Sequence, residues 1–207
     1  EPEVEEYPVT MMLSRDGYLK KMTDRVLHKA TTLKYKDGDE PFIEFDSSNT
    51  HDLLVFTNQC QVYKCKVAAF EDTKSAQLGS YLPTDLEMDA DETVTWVIDP
   101  EDYKADVLFV FENGRVARVA LSGYATKTNR KRLKNAIYGG SKLMYATVLK
   151  EERDLALVSS DFRLVNFNTS LLKTKTTNST QGVQALTIKG SRTVTMVGTA
   201  EEFIGGK

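Results

Sequence analysis

The stretch LSRDGYLKK, residues 13–21, has the pattern of a β-hairpin. Ser14, Asp16 and Gly17 supply the polar and conformationally free residues of a tight turn. The flanking sequences VTMML and YLKKM are rich in the β-branched, aromatic and apolar residues that are typical of strands. The stretch therefore predicts two antiparallel strands joined at Gly17, with two lysines shortly after the turn.

Three further segments align with this hairpin in the same register. They are FTNQCQVYK from Phe56, VFENGRVAR from Val110 and VSSDFRLVN from Val158. One column of the alignment contains Gly17, Cys60, Gly114 and Phe162, and the position four residues later contains Lys21, Lys64, Arg118 and Asn166. Because cysteine and phenylalanine adopt left-handed turn conformations at a cost, we expect the turns at Cys60 and Phe162 to differ in type from the two glycine turns.

A repeat of roughly 40 to 50 residues with several strands in each copy is the signature of a propeller-type array. The unbroken apolar run from Val107 to Phe111 indicates a strand that is covered on both faces. No long amphipathic helix is evident, so we expect an all-β fold. The predicted organisation is an acidic linker or strand over residues 1–8, a single domain over 9–200 and a tail over 201–207, with repeats at about 9–50, 51–103, 104–151 and 152–200.

The composition narrows the possible functions. No apolar run reaches the roughly 18 residues of a membrane span, and the N-terminus lacks the pattern of a secretion signal, so a cytoplasmic chain is expected. The two cysteines and two histidines lack the spacing of a structural zinc site, and we predict no metal and no cofactor. A chain that begins at Glu1 rather than at methionine is expected to be a fragment of a longer protein.

The net charge of −3 conceals an asymmetry along the chain. Residues 1–100 contain 10 basic and 20 acidic residues, whereas residues 101–207 contain 17 and 10. This difference fits a basic binding surface beside acidic regulatory segments, or a mixed solvated surface without that role.

Four segments of the sequence resemble one known family. They are VTMMLSRDGYLKKM, THDLLVFTNQCQVYKCKVAAF, ADVLFVFENGRVARVALSGYA and STQGVQAL. Together they are similar to the C-terminal domain of the A subunits of bacterial type IIA topoisomerases, DNA gyrase and topoisomerase IV. The resemblance covers residues 8–198.

The resemblance implies a β-pinwheel, a propeller-like disc of four-stranded blades that exchange strands and bind and bend duplex DNA along a basic rim. It implies no catalysis by this chain, because the family's catalytic tyrosine lies in a region that the resemblance does not cover. It further implies that the full-length protein belongs to an ATP-dependent topoisomerase in the bacterial cytoplasm, at the nucleoid. Its partners there would be a second A subunit together with the topoisomerase B subunit.

The sequence departs from the family pattern in two places. Gyrase carries a Gln-Arg-Arg-Gly-Gly-Lys-Gly box in its first blade, and residues 23–40 contain no such box, so the resemblance does not extend to gyrase-type chiral wrapping. Family discs have five or six blades, whereas we count about four repeats here. Either a larger disc is cut short, or this disc is short and open.

Basic residues that could contact DNA phosphates fall into three groups. The densest lies in KTNRKRLKN and contains Lys127, Arg130, Lys131, Arg132 and Lys134, with a solvated basic loop as the alternative interpretation. The second group follows the hairpin turns and contains Lys20, Lys21, Lys64, Lys66, Arg115 and Arg118, which could instead protect sheet edges from aggregation. The third is Lys173 and Lys175, among hydroxyl and amide side chains.

Two functions from different classes follow from these patterns. The first is a non-catalytic domain of the A subunit of a type IIA topoisomerase, which binds double-stranded DNA. The alternative is a β-propeller scaffold whose basic rim docks an acidic protein partner. Trp96, within TVTWVIDP, is expected to be a core residue of a strand rather than a platform for base stacking.

Overall fold

The structure is a computed structural model that describes residues 2–126 and 131–204. Its strands, in chain order, are β1 (Pro8–Ser14), β2 (Tyr18–Thr23), β3 (Pro41–Ser48), β4 (Asp52–Thr57), β5 (Val62–Lys66), β6 (Ser80–Tyr81), β7 (Val94–Ile98), β8 (Asp106–Phe111), β9 (Arg115–Ala120), β10 (Arg132–Leu133), β11 (Leu143–Leu149), β12 (Asp154–Ser159), β13 (Leu164–Asn168), β14 (Val183–Gln184) and β15 (Val194–Gly198). The prediction of an all-β fold is confirmed.

Helices in the described residues are short. They are α1 (Asp24–Lys29), α2 (Leu82–Asp85) and α3 (Ala200–Ile204), together with the 3-10 helices Val67–Ala69, Leu121–Tyr124 and Thr169–Leu171. Each 3-10 helix directly follows the second strand of a hairpin. None of the helices of the described residues is long and apolar enough to cross a membrane.

The chain divides into two compact units. The first comprises residues 1–101 and 131–133, and the second comprises residues 102–130 and 134–207. In the first unit the sheets have the strand orders β3-β1-β2-β6 and β10-β5-β4-β7. In the second unit the orders are β11-β8-β9-β14 and β13-β12-β15. The four predicted repeats thus correspond to four small antiparallel sheets.

Three of the sheets are completed by a two-residue strand from further along the chain. Strand β6 pairs with β2, β10 pairs with β5, and β14 pairs with β9, each at the open edge of a hairpin. In every case the chain first forms the next hairpin and then returns to the preceding sheet. We call the segments between each 3-10 helix and its returning strand crossover 1 (residues 70–79), crossover 2 (125–131) and crossover 3 (172–182).

The four hairpin turns share one geometry, and the prediction that two of them would differ is wrong. The backbone NH of Gly17, Cys60, Gly114 and Phe162 donates in each case to the carbonyl three residues earlier, at 2.9–3.2 Å. All four residues have positive φ, with values of 98° and 82° at the glycines, 58° at Cys60 and 62° at Phe162. The strand pairing on either side imposes the left-handed conformation, which cysteine and phenylalanine adopt at some cost.

Each unit has its own hydrophobic core between two sheets. In the first unit, Met11 and Leu13 of one sheet pack in the same cluster as Leu53 and Val55 of the other. In the second unit, Leu108 and Val110 pack with Leu155 and Leu157. These side chains alternate along central strands, which places them on the covered faces of their sheets.

The two predictions about strand burial have different outcomes. Residues Val107 to Phe111 are fully buried in β8, as expected for a strand covered on both faces. Trp96 lies in a strand, β7, as expected, and contacts the ring of Phe42 edge-on with centroids 5.3 Å apart, but it is only half-buried and does not belong to the core.

Candidate nucleic-acid interface

The first two post-turn cations are buried inside the first unit. Lys20 is 2% exposed, and its ammonium donates to the carbonyls of Gln77 and Leu78 at 2.6 and 2.9 Å. Lys21 is 4% exposed, and its ammonium donates to the Phe70 carbonyl at 3.0 Å. Since all three acceptors belong to crossover 1, the lysine pair holds both ends of this segment against β2.

Several further interactions fix the same contact. The backbone of Lys21 exchanges hydrogen bonds with Thr73, and its ammonium lies 3.4 Å from the Asp72 carboxylate. Burial lowers the pKa of Lys20, although the charge of Asp39 opposes this shift. The ammonium groups are therefore engaged in intramolecular bonds rather than turned toward solvent.

Arg118 has the matching role in the second unit. Its guanidinium bonds to Asp106 and Glu152 at 2.7 and 2.8 Å and to the Thr169 carbonyl at 3.1 Å. Its backbone carbonyl accepts from the NH of Lys175, within crossover 3, at 2.8 Å. The hydrogen bonds of Glu152 with Thr169 and with Arg118 lower the pKa of that carboxyl.

The recurrence of cations after the hairpin turns thus has a structural explanation. In the crossover segments that the structure describes, a cation of the second hairpin strand binds backbone carbonyls of the returning chain or of the 3-10 helix before it. Lys64 lies 3.7 Å from Asp52 and is partly buried, and Arg115 is partly buried with a long 3.5 Å contact to the Gly182 carbonyl.

The remaining predicted cations of the described residues, which do not bond to returning segments, are more accessible to solvent than Lys20 and Lys21. Lys66, Lys131, Lys134, Lys173 and Lys175 are exposed. Arg132 is partly buried, and its guanidinium bonds to Asp89 at 3.0 Å and lies 4.9 Å from the centre of the Tyr63 ring. Lys127 and Arg130 lie outside the described residues.

Crossover 3 is the clearest basic segment of the described residues. Lys173, Thr174, Lys175, Thr176 and Thr177 form an exposed run, and residues 172–182 contain no acidic side chain. The Thr174 hydroxyl donates to the Asp106 carboxylate at 2.7 Å, whereas the lysine ammonium groups and the hydroxyls of Thr176 and Thr177 are common types of donor to phosphate oxygens. A backbone bridge of Lys175 to β9 fixes the segment against its sheet.

The sequence interpretation missed a group of exposed cations in the first unit. Arg25 and Lys29 of α1 and Lys74 of crossover 1 line a cleft of about 320 Å³. Lys74 lies five residues after its 3-10 helix, whereas Lys173 lies two residues after the equivalent helix of the second unit. In the repeat alignment Lys74 corresponds to Thr176, so the repeats give no signal for Lys74, and they give none for Arg25 or Lys29.

Comparisons with known proteins agree with this architecture. Over 194 residues the chain is 24% identical to the A subunit of DNA topoisomerase 4 from Staphylococcus epidermidis, in an alignment that covers 91% of this chain and 24% of that protein. Over 129 residues it is 28% identical to the corresponding protein of Bacillus subtilis, covering 60% of this chain and 16% of that protein. The chain is homologous to the A subunit of topoisomerase IV.

Solved structures identify the fold. The C-terminal domain of DNA topoisomerase IV matches with a TM-score of 0.75 at 22% identity, over 94% of this chain and 62% of that one. The E. coli ParC C-terminal domain matches with a TM-score of 0.68 at 16% identity, over 92% and 78%. The fold is therefore a β-pinwheel, as the resemblance implied.

The homology covers only part of the relatives. This chain spans about a quarter of the length of the S. epidermidis protein. No family model matches the chain.

Proposed function

We propose that this chain is a non-catalytic domain of the A subunit of a type IIA topoisomerase, and that it binds and bends duplex DNA. The homology and the β-pinwheel fold support this function. In the full-length protein it would present DNA to an ATP-dependent catalytic core that includes a second A subunit together with the B subunit. We propose the bacterial cytoplasm, at the nucleoid, as its location.

One observation carries the proposal: crossover 3 exposes two lysines and several hydroxyl groups without any acidic residue. A DNA duplex presents about one negative charge per 1.7 Å of its axis. A protein that binds DNA without sequence specificity therefore needs cations spread over a surface rather than a deep pocket. The exposed side chains of Lys173 and Lys175 on a segment fixed to its sheet meet that requirement.

The burial of the other cations narrows the proposed contacts. We leave out Lys20, Lys21 and Arg118, because their charges are bonded within the protein. The proposed DNA-contacting residues are Lys66, Lys74, Lys131, Lys134, Lys173 and Lys175, with Lys127 and Arg130 retained from the sequence. Lys64 and Arg115 are partly buried and are assigned a minor contribution.

Salt-dependent binding of a 40 base-pair fluorescent duplex would test the proposal. If about six phosphates are neutralised, the slope of log affinity against log salt should be close to −5, from about −0.9 per phosphate. The double variant Lys173→Ala/Lys175→Ala should bind more weakly and flatten the slope by up to about 2. Wild-type binding that does not respond to salt would contradict the proposal.

A matched control is available in the same unit. Lys150 and Lys189 are exposed but lie outside the crossover segments, so Lys150→Ala/Lys189→Ala removes the same charge. Equal losses in the two double variants would indicate a general charge effect without a defined surface. Bending can then be measured by energy transfer between dyes at the ends of the duplex.

The alternative function, a scaffold that docks an acidic protein, would use the same lysines. Duplex binding at low salt separates the two, because a scaffold specific for an acidic protein partner is not expected to bind duplex DNA. If the wild-type chain fails to bind duplex DNA even at low salt, while the fold is intact, the acidic-partner function becomes the better one.

A further inference from the structure

An acidic loop lies beside one of the predicted DNA-contacting residues. Residues 85–92, DLEMDADE, follow the start of α2 and contain five carboxylates and no basic side chain. Glu87, Asp89 and Asp91 are exposed or partly exposed, whereas Glu92 is only 4% exposed. We call residues 85–92 the acidic loop.

Buried contacts hold the acidic loop in one position. The carboxylate of Glu92 accepts hydrogen bonds from the Tyr63 hydroxyl at 2.6 Å, from the Gln61 amide at 2.9 Å and from the backbone NH of Asp89 at 2.9 Å. The same Gln61 amide group also donates to Asp89 at 2.9 Å. Asp89 is thus a pre-positioned anion rather than a freely moving surface carboxylate.

The acidic loop accepts hydrogen bonds from the guanidinium of Arg132. One terminal nitrogen of Arg132 donates to Asp89 at 3.0 Å, and the other donates to the Glu87 carbonyl at 2.7 Å. Arg132 belongs to β10, directly after the exposed Lys131 at the end of crossover 2. An arginine next to a proposed phosphate contact is therefore engaged by a carboxylate of its own chain.

We propose that the acidic loop is an internal competitor for DNA, which holds Arg132 in the free protein and yields it to a backbone phosphate when a duplex binds at Lys131. Carboxylate and phosphate oxygens accept from the same planar fork of arginine donors, so one can replace the other without rebuilding the site. Half of the Asp89 side chain is solvent-exposed, and exposed ion pairs are weak enough to exchange. This inference rests on the proposed DNA-binding function.

Asp89→Asn tests the competition, because asparagine keeps the shape of the side chain and removes its charge. Duplex affinity of the 207-residue chain at low salt should rise by up to about fivefold, the factor that corresponds to one exposed ion pair. The salt slope should stay close to that of wild type, because Arg132 neutralises the same phosphate in both bound complexes. Glu151→Gln, at an exposed carboxylate outside the acidic loop, is the control for net charge.

The recipient of the released charge can be tested separately. In an Arg132→Gln background, Asp89→Asn should give no gain beyond that of Glu151→Gln. A gain of equal size with and without Arg132, or an Asp89→Asn affinity no higher than that of the Glu151→Gln control, would overturn the inference.

A measurement on the wild-type chain avoids any dependence on variant folding. The guanidinium resonances of Arg132, the NεH among them, should move when a saturating duplex is added, since the acceptor of one terminal nitrogen changes from the Asp89 carboxylate to a phosphate. A resonance that stays in place while the protein is fully bound would also overturn the inference. If instead the wild-type chain binds no duplex, the proposed function itself fails, so the two failures are distinguishable.

Discussion

Replacing Lys20 with methionine separates the buried cations from the exposed ones. Methionine keeps the approximate length of the side chain but removes the ammonium that donates to the Gln77 and Leu78 carbonyls at 2.6 and 2.9 Å. A hydrogen bond from a charged group contributes about 1.5 to 3 kcal/mol. Because crossover 1 can be rehydrated once released, the lower end of that range applies, and two bonds give a loss of about 3 kcal/mol.

Urea unfolding followed by circular dichroism measures this loss. With a denaturant slope of about 1 to 3 kcal/mol per molar, the midpoint should fall by at least about 1 M. The exposed Lys66 is the matched control, and Lys66→Met should change stability by less than about 0.5 kcal/mol. Under conditions where both variants are folded, Lys20→Met should bind the 40 base-pair duplex within about twofold of wild type.

The opposite outcome would refute the structural role of Lys20. If Lys20→Met unfolds at the same urea concentration as Lys66→Met while binding DNA several-fold more weakly, the ammonium acts at a DNA surface. Lys20 would then return to the set of proposed phosphate contacts, and the crossover would need another explanation for its attachment.

Three more predictions concern the turns and one carboxylate. Phe162→Gly should raise the free energy of unfolding by about 0.5 to 1 kcal/mol, because Phe162 has a φ of 62° and its side chain is 85% exposed. The backbone strain that glycine relieves exceeds the stabilisation of the unfolded chain by the extra entropy of glycine. Urea unfolding tests this, and a loss of stability would contradict it. Gly114→Ala should lower the free energy of unfolding by well over the roughly 1 kcal/mol expected for Gly17→Ala. A Cβ at Gly114 would lie 2.0 Å from the Leu186 carbonyl oxygen, whereas the atom nearest to a Cβ at Gly17 is 3.5 Å away. Equal losses of stability for the two variants in thermal unfolding would exclude the clash. Wild type should be more stable than Glu152→Gln, and this difference should be complete above the ordinary glutamate pKa of 4.5 and decline as the pH falls through the lowered pKa of Glu152 in the folded protein. Urea unfolding from pH 6 to pH 3 measures the difference. A difference that grows toward low pH would contradict the prediction.

Much of the fold was predictable from local patterns. The apolar runs before each turn predicted the four central hairpin strands, and the repeat alignment placed Gly17, Cys60, Gly114 and Phe162 at equivalent positions. Repetition makes such patterns reliable, because an unlikely match in one copy is supported by the others. The turn conformation at Cys60 and Phe162 was wrongly predicted, since residue preference was weighed without the strand pairing that imposes the geometry.

The candidate site was less predictable, and Lys20 and Lys173 show why. Lys20 follows a hairpin turn and Lys173 follows a 3-10 helix, yet the first is bonded to two carbonyls and the second is exposed. The difference comes from crossover 1, whose acceptors lie 57 and 58 residues after Lys20 in the sequence and cover it only when the chain returns. Arg25 and Lys74 line their shared cleft through the same long-range return.

Local sequence patterns were enough to predict the all-β class, the four-fold repeat and the positions of the hairpin turns, because alternation, apolar runs and turn residues act over a few neighbouring positions. The three-dimensional structure was needed to show which cations face solvent, that Lys21 and Arg118 bond to returning segments, and that Asp89 forms an ion pair with Arg132. These outcomes depend on the exchange of β6, β10 and β14 between repeats. Such pairing joins residues that are distant in the chain, and no local pattern encodes which side chain the returning segment will cover.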